Sequence, residues 1–291
     1  MGFQLLRTTS DCAAHFILGI LVTAALVLPR EVDAQWVEAP GKGWISAEVY
    51  RQDTRDRYDL EGQVSAIPFD GHATSTALFV TVSMGLISNW DLWARGSVNS
   101  RSFSDTGGDR STEGLGDAKL WLRVAPLKYL GVDFPFAIRG GVKIPIGEAP
   151  VDAEIIPLSE GQTDWEIMVE IGHSFWPRSV YVNGWVGYRL RELNEKAAID
   201  PGEEIFFLAQ VGGAAGRFQY KVVAEGWNGD TPIQEGIPIV TSQRHYLQVT
   251  PSLWYETALG SFEVGWRVPL DGRNLPAGGA LVVGYFSRFG V

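Results

Sequence analysis

From residue 43 onward, apolar and polar side chains alternate one by one in twelve segments of about ten residues, each bounded by turn-forming residues. Successive side chains of an extended strand point to opposite faces, so this rhythm predicts strands with one apolar and one polar face. Segment 90–101 shows the contrast well, with Leu92, Ala94, Gly96 and Val98 on one side and Asp91, Trp93, Arg95, Ser97, Asn99 and Arg101 on the other. Segment 114–125 sets Leu120 and Leu122 against Asp117, Lys119, Trp121 and Arg123. Segment 134–145 sets Ile138 and Val142 against Arg139 and Lys143, and 163–175 sets Trp165, Ile167, Val169 and Ile171 against Asp164, Glu166, Met168 and Glu170. In 179–190, Val182, Val186 and Tyr188 oppose Asn183, Trp185 and Arg189. The other strands are expected at 43–53, 73–85, 203–213, 217–227, 243–256, 261–269 and 279–289, the last with its least polar second face at Val282 and Phe286.

The connections alternate in length. Long ones are expected at 54–72, 102–113, 146–162, 191–202, 228–242 and 270–278, and short ones at 86–89, 126–133, 176–178, 214–216 and 257–260. Long loops on one rim and tight turns on the other describe an all-β transmembrane antiparallel barrel of about twelve strands, with the long loops extracellular and the short turns periplasmic. Hydrocarbon cannot hydrogen-bond a free sheet edge, so a sheet in lipid must close, with its apolar face outward. A charge aimed at mid-bilayer lipid costs about 2–4 kcal/mol, and in the third to seventh strands the charges fall on one face.

The N-terminus reads differently. An apolar run from Phe16 to Leu28 follows Arg7, and Val32-Asp33-Ala34 precedes Gln35, which predicts a signal peptide over 1–34 cleaved after Ala34. That run is shorter than the roughly 20 residues of a spanning helix, and no later apolar stretch reaches that length. The leader carries the one cysteine, Cys12, so the exported chain is expected to be free of thiols, disulfides and cysteine metal sites. Removing it takes two arginines and three acidic residues, which brings the formal charge from −10 to −9. An acidic chain lacks the concentrated basic surface of a nucleic-acid binder. Eleven tryptophans are expected to contribute girdles at the two membrane interfaces. The expected location is the outer membrane of a Gram-negative bacterium.

Candidate chemistry lies on the inner face. Arg95, Arg101, Lys119, Arg123, Arg139, Lys143 and Arg189 face Asp91, Asp117, Asp164, Glu166 and Glu170, either as a filter for solutes or as a paired network that stiffens the interior. Trp93, Trp121, Trp185 and Phe206 stack on a solute or fill space, and filling is the commoner use. Loop 147–162 carries Glu148, Asp152, Glu154 and Glu160 with no Lys or Arg; its irregular spacing fits a solvated acidic loop better than a cation site. His173 and Ser174 are neighbours on opposite faces and make no catalytic pair, whereas His72 with Asp70 at the outer rim is the one acid–base candidate for a hydrolase. Phosphate-cradling loops, zinc spacing and nucleotide fingerprints are missing, so no cofactor or metal is expected.

Three stretches, Gly114-Leu115-Gly116-Asp117-Ala118-Lys119-Leu120, Val142-Lys143-Ile144-Pro145-Ile146-Gly147 and Gly161-Gln162-Thr163-Asp164, resemble the putative MetA-pathway of phenol degradation family of outer-membrane β-barrel transporters. The resemblance covers about 50 residues and implies passage of small, in part aromatic, compounds. The chain departs from the usual aromatic C-terminus, because Gly290 and Val291 follow Phe289. The expected partners are outer-membrane lipid, the barrel-assembly machinery and a small-molecule solute. The expected function is a channel or facilitator, with a non-conducting structural or surface-binding barrel and a hydrolase as alternatives.

Overall fold

The computed structural model describes residues 37–152 and 154–290; the expected signal peptide and its cleavage point lie outside the described residues. The strands are β1 (Gly43–Thr54), β2 (His72–Ile87), β3 (Trp90–Asp105), β4 (Gly108–Leu115 continuing as Ala118–Val124), β5 (Phe136–Ile144) and β6 (Asp164–Ser174). Then come β7 (Val180–Arg191), β8 (Glu204–Ala215), β9 (Phe218–Gly229), β10 (His245–Thr257), β11 (Gly260–Arg273) and β12 (Ala280–Phe289). Each pairs antiparallel with its neighbours in sequence, and β1 also pairs with β12 from Gly43↔Phe289 to Gln52↔Ala280, so the sheet closes on itself. Closure leaves no open edge in the hydrocarbon.

The outside is apolar where the alternation requires it. Leu78, Val80, Leu92, Leu120, Leu122, Val169, Val186, Val211, Val264 and Val283 are exposed and form a belt. Trp165, Tyr188 and Trp266 border it on the side of the long loops, and Phe134, Phe175, Trp176, Phe218 and Phe262 on the side of the tight turns. Interfacial aromatics of this kind suit their amphipathic rings. The tryptophans do not all serve the girdles, however. Trp44, Trp93, Trp121, Trp185, Trp227 and Trp254 lie on the inner face, where a twelve-stranded lumen has room that must be filled.

The expected long connection at 102–113 is instead strand. β3 and β4 run to a two-residue tip at Thr106-Gly107 and pair from Val98↔Leu115 to Asp105↔Gly108. The reason lies at Gly116-Asp117, where the register slips by one between Val98↔Leu115 and Arg95↔Lys119. This β-bulge reverses the parity of the alternation. Below it Lys119, Trp121 and Arg123 face in; above it Arg110 and Thr112 are shielded while Asp109 and Glu113 are exposed. Exposed outward carboxylates place that hairpin above the lipid. The 126–133 turn holds a 3-10 helix, Pro126–Leu130, that stops at Gly131 with φ 68°. On the opposite rim a hairpin (56–58 with 64–66) and a small sheet (199–200, 233–234, 237–238) cap the barrel mouth.

Large inner side chains need small neighbours. At Gly141 an added Cβ would lie 2.1 Å from Trp121 Cδ1 and 2.5 Å from the Leu120 carbonyl oxygen, while at outward-facing Gly140 the nearest atom would be 4.0 Å away. Gly141→Ala is therefore expected to destabilise the barrel by about 1–3 kcal/mol, the usual cost of overpacking, and Gly140→Ala to be tolerated. The temperature at which each refolded variant loses its compact, heat-modifiable gel mobility checks this.

Candidate functional site

The lumen is filled near the tight turns and roomy near the long loops. In the filled part Trp44, Trp93, Trp121 and Met168 form a buried cluster flanked by Trp185, Phe206 and Phe286, with Trp44 edge-on to Trp93 at a centroid distance of 4.7 Å. Beneath it, Asp91 is 0 % exposed and accepts from Arg123 through Nη2 at 2.6 Å and Nε at 3.0 Å, and from Trp93 Nε1 at 3.0 Å. Arg123 and Arg139 both reach Glu170, and the Arg139 guanidinium lies 4.3 Å from the Trp93 ring centroid. A carboxylate and an arginine out of water are tolerable only with fork geometry and further partners of this sort. The backbone N–H of Glu38 donates to Asp91 at 2.9 Å, which ties the segment before β1 across this end of the barrel.

Higher up, charges form a ladder across β4, β6, β7 and β8. Glu166 accepts from Lys119 at 2.9 Å, Arg189 at 2.8 Å and Trp121 Nε1 at 2.7 Å. Arg189 also reaches Glu204, which Arg191 contacts at 3.0 Å. Lys143 then joins the three stretches that carry the family resemblance, with Asp164 at 2.7 Å, Asp117 at 3.6 Å and the loop residue Glu160 at 2.9 Å. Glu160 is thus not a solvated loop acid. It turns into the mouth, where Arg191 and Arg244 also hold it, at 2.9 and 2.5 Å.

Four cavities follow the axis and share walls. Two at the mouth, of about 740 and 790 Å³, meet at Arg101 and Arg244. The second adjoins a mid-lumen cavity of about 410 Å³ through Phe79, Arg95, Glu225 and Trp227. That one touches a space of only about 40 Å³ at Trp93, Arg139 and Trp185, beside Val37. The interior therefore narrows steeply toward the tight-turn rim.

The sequence-derived candidates fall into three groups. Arg123, Arg139, Glu170, Trp93 and Trp121 belong to the filled lower part, Trp121 also reaching up to the ladder; Trp185 borders the two lower cavities. Lys119, Lys143, Glu166 and Arg189 form the paired ladder. Arg95 and Arg101 line the open cavities. Arg191 joins the ladder from one residue beyond the expected strand end at 190, where it shares the parity of Arg189. Trp44 is likewise absent from the sequence-derived candidates, although it shares the parity of Ser46 and Glu48. His72 does not meet Asp70; its Nε2 lies 2.6 Å from Asp53 across β1 and β2, and His245 makes a similar contact with Asp271 at 3.0 Å. Asp70 sits in a turn with φ 55°, and neither histidine lines any of the four cavities.

Desolvation in the mouth raises the Glu160 carboxyl pKa, but the charges of Arg244, Arg191 and Lys143 outweigh it and hold the group well below the usual carboxylate range. A depressed folded-state pKa means the latch is fully present above the ordinary carboxyl pKa and is lost only as pH falls through the lowered value. Loop 145–163 is therefore expected to resist protease equally at pH 7 and pH 5, whereas Glu160→Gln exposes it at both. Limited proteolysis followed by mass spectrometry reads this directly.

No protein-family model and no curated protein matches the sequence. Among solved structures, the COG4313 outer membrane channel from Pseudomonas putida F1 is similar with a TM-score of 0.70 and 15 % identity, over 89 % of this chain and 100 % of that one. The NanC porin also matches, with a TM-score of 0.46 and 12 % identity, over 82 % of this chain and 98 % of that one. The first likeness speaks to the fold, and at such identity to the fold alone. The chain is a closed twelve-stranded antiparallel barrel of the outer-membrane kind.

Proposed function

We propose that the protein is an outer-membrane channel or facilitator for small organic solutes, aromatic ones included. The observation that carries this reading is the train of cavities that share walls from the long-loop rim to the Trp93 cluster. A barrel serving only as a scaffold has no use for connected internal space of that extent. Tyr50, Phe79, Phe103, Trp227 and Tyr246 line the roomy part, and they give a planar solute faces on which to stack while guanidinium groups replace its lost hydration. Similarity to a solved outer membrane channel supports the channel reading, and the aromatic solute class rests on the cavity lining and on the three stretches that resemble the phenol-degradation family.

The filled lower part is then a gate. Side chains of the Trp44–Trp93–Trp121–Met168 cluster must shift for a solute to leave, with the Asp91–Arg123 pair as their rigid floor. This filling is also what favours the second reading, a barrel that binds at its mouth and does not conduct.

Planar-bilayer recording and liposome swelling with refolded protein separate the two. Discrete current steps and swelling with small phenolics and organic acids are expected. Trp93→Ala should raise single-channel conductance on the order of twofold or more by relieving the narrowest segment. Silence of both the native protein and Trp93→Ala across a panel of sugars, acids and phenolics would favour the binding barrel.

A further inference from the structure

Arg95 stands apart from the other ionised groups of the lumen. Luminal cations on β4 to β11 lie against carboxylates: Lys119 on Glu166, Arg123 on Asp91, Lys143 on Asp164, Arg189 and Arg191 on Glu204 and Lys221 on Glu263. On β3, Arg101 donates to the Pro157 carbonyl at 2.7 Å. The Arg95 side chain has neither kind of partner among the described residues. Its guanidinium rests on the Phe79 ring, 4.3 Å from the centroid, and its Nε is shut off from solvent without a hydrogen-bond acceptor.

No carboxylate among the described residues lies within ion-pair reach of it. The carboxylates nearest in the lumen, Glu48 and Glu225, are shared by Arg267 at 3.6 and 3.9 Å, and Gln248 donates to Glu225 as well. Arg95 also sits where the cavities of about 410 and 790 Å³ join, with Phe79 and Trp227 on the same shared wall. A guanidinium held by an aromatic ring, facing space and without a directly paired carboxylate, has its fork free to take one, while Glu225 on the same wall is engaged by Arg267 and Gln248. Arg101, six residues and so about 20 Å further along the same strand toward the mouth, also lines the wider cavity and offers an earlier station.

We propose that Arg95 is the recognition residue of an internal site for small monocarboxylates bearing a flat apolar ring, with the carboxylate on its guanidinium and the ring between Phe79 and Trp227. The planar fork matches one carboxylate bidentately, and the aromatic wall favours a flat apolar ring over a bare inorganic anion, which competes only by occupying the guanidinium. The inference deepens the channel reading and relies on it for the solute's passage, though not for its binding.

Isothermal titration calorimetry of refolded protein in detergent tests the site with benzoate and with benzyl alcohol as its neutral counterpart. Benzoate is expected to bind at least about tenfold more tightly than the alcohol, and Arg95→Gln to lose that advantage while its weak affinity for the alcohol is kept. Arg95→Lys, which keeps the charge without the fork, should fall between. Should Arg95→Gln not refold, chloride competition on the native protein serves instead: benzoate affinity should fall as chloride rises, and the alcohol's should not. Equal affinity for the two ligands, a benzoate affinity unchanged in Arg95→Gln, or indifference to chloride overturns the proposal. Conducting bilayers with equal affinities would remove the site and leave the channel; silent bilayers with Arg95-dependent benzoate binding would remove the channel and leave the site.

Discussion

A backbone in hydrocarbon has nothing outside itself to bond to, and the architecture follows from that. Every N–H and C=O at membrane depth must find a strand neighbour, which forces β12 back onto β1 and makes a cylinder of what would otherwise be an open sheet. Once the cylinder exists, each strand is divided by its pleat into a lipid face and a luminal face. The lipid face tolerates only Leu, Val, Ile and aromatic side chains. Ionised groups at membrane depth must therefore go inward, where charges of both signs meet at close quarters.

That crowding has two outcomes in one lumen. Toward the tight turns the groups are spent on one another: Asp91, Arg123, Glu170 and Arg139 interlock under a cap of indole rings, and the space left is about 40 Å³. Toward the long loops the same kinds of residue leave room. There Glu160, brought in by its loop, satisfies Lys143, Arg191 and Arg244 together, so the loop itself becomes part of the wall. Burying ion pairs gives little net stability, since desolvation offsets attraction, but losing one partner is expensive. The network therefore fixes register and shape more than it adds to the free energy of folding. Arg95, on the boundary between the two regions, is a luminal arginine that this mutual pairing does not absorb.

The strand count, the inner face of nearly every strand and the closed architecture could be read from the sequence because a period of two is a local signal imposed by a global solvent. Strand β6 is legible at sight, since Trp165, Ile167, Val169 and Ile171 have no other reason to alternate with Asp164, Glu166, Met168 and Glu170. The β3–β4 hairpin was not, because its upper half stands clear of the lipid and a bulge at Gly116-Asp117 reverses the parity. Pairing was likewise hidden. Alternation says that Lys143 faces in, but not that Asp117 from the β4 bulge, Asp164 from β6 and Glu160 from a loop converge on it. The His72–Asp53 contact was missed for the same reason: cross-strand register, not nearness in sequence, sets such contacts.

The most direct test of the two-faced cylinder uses the absence of cysteine from residues 35–291. Single cysteines introduced one at a time along β3 at positions 94 to 99 and at 101 can be challenged, in isolated outer-membrane vesicles, with a charged, membrane-impermeant thiol reagent. The account predicts modification at 95, 97, 99 and 101 and protection at 94, 96 and 98, a strict alternation. Uniform modification, uniform protection or the opposite parity would contradict it.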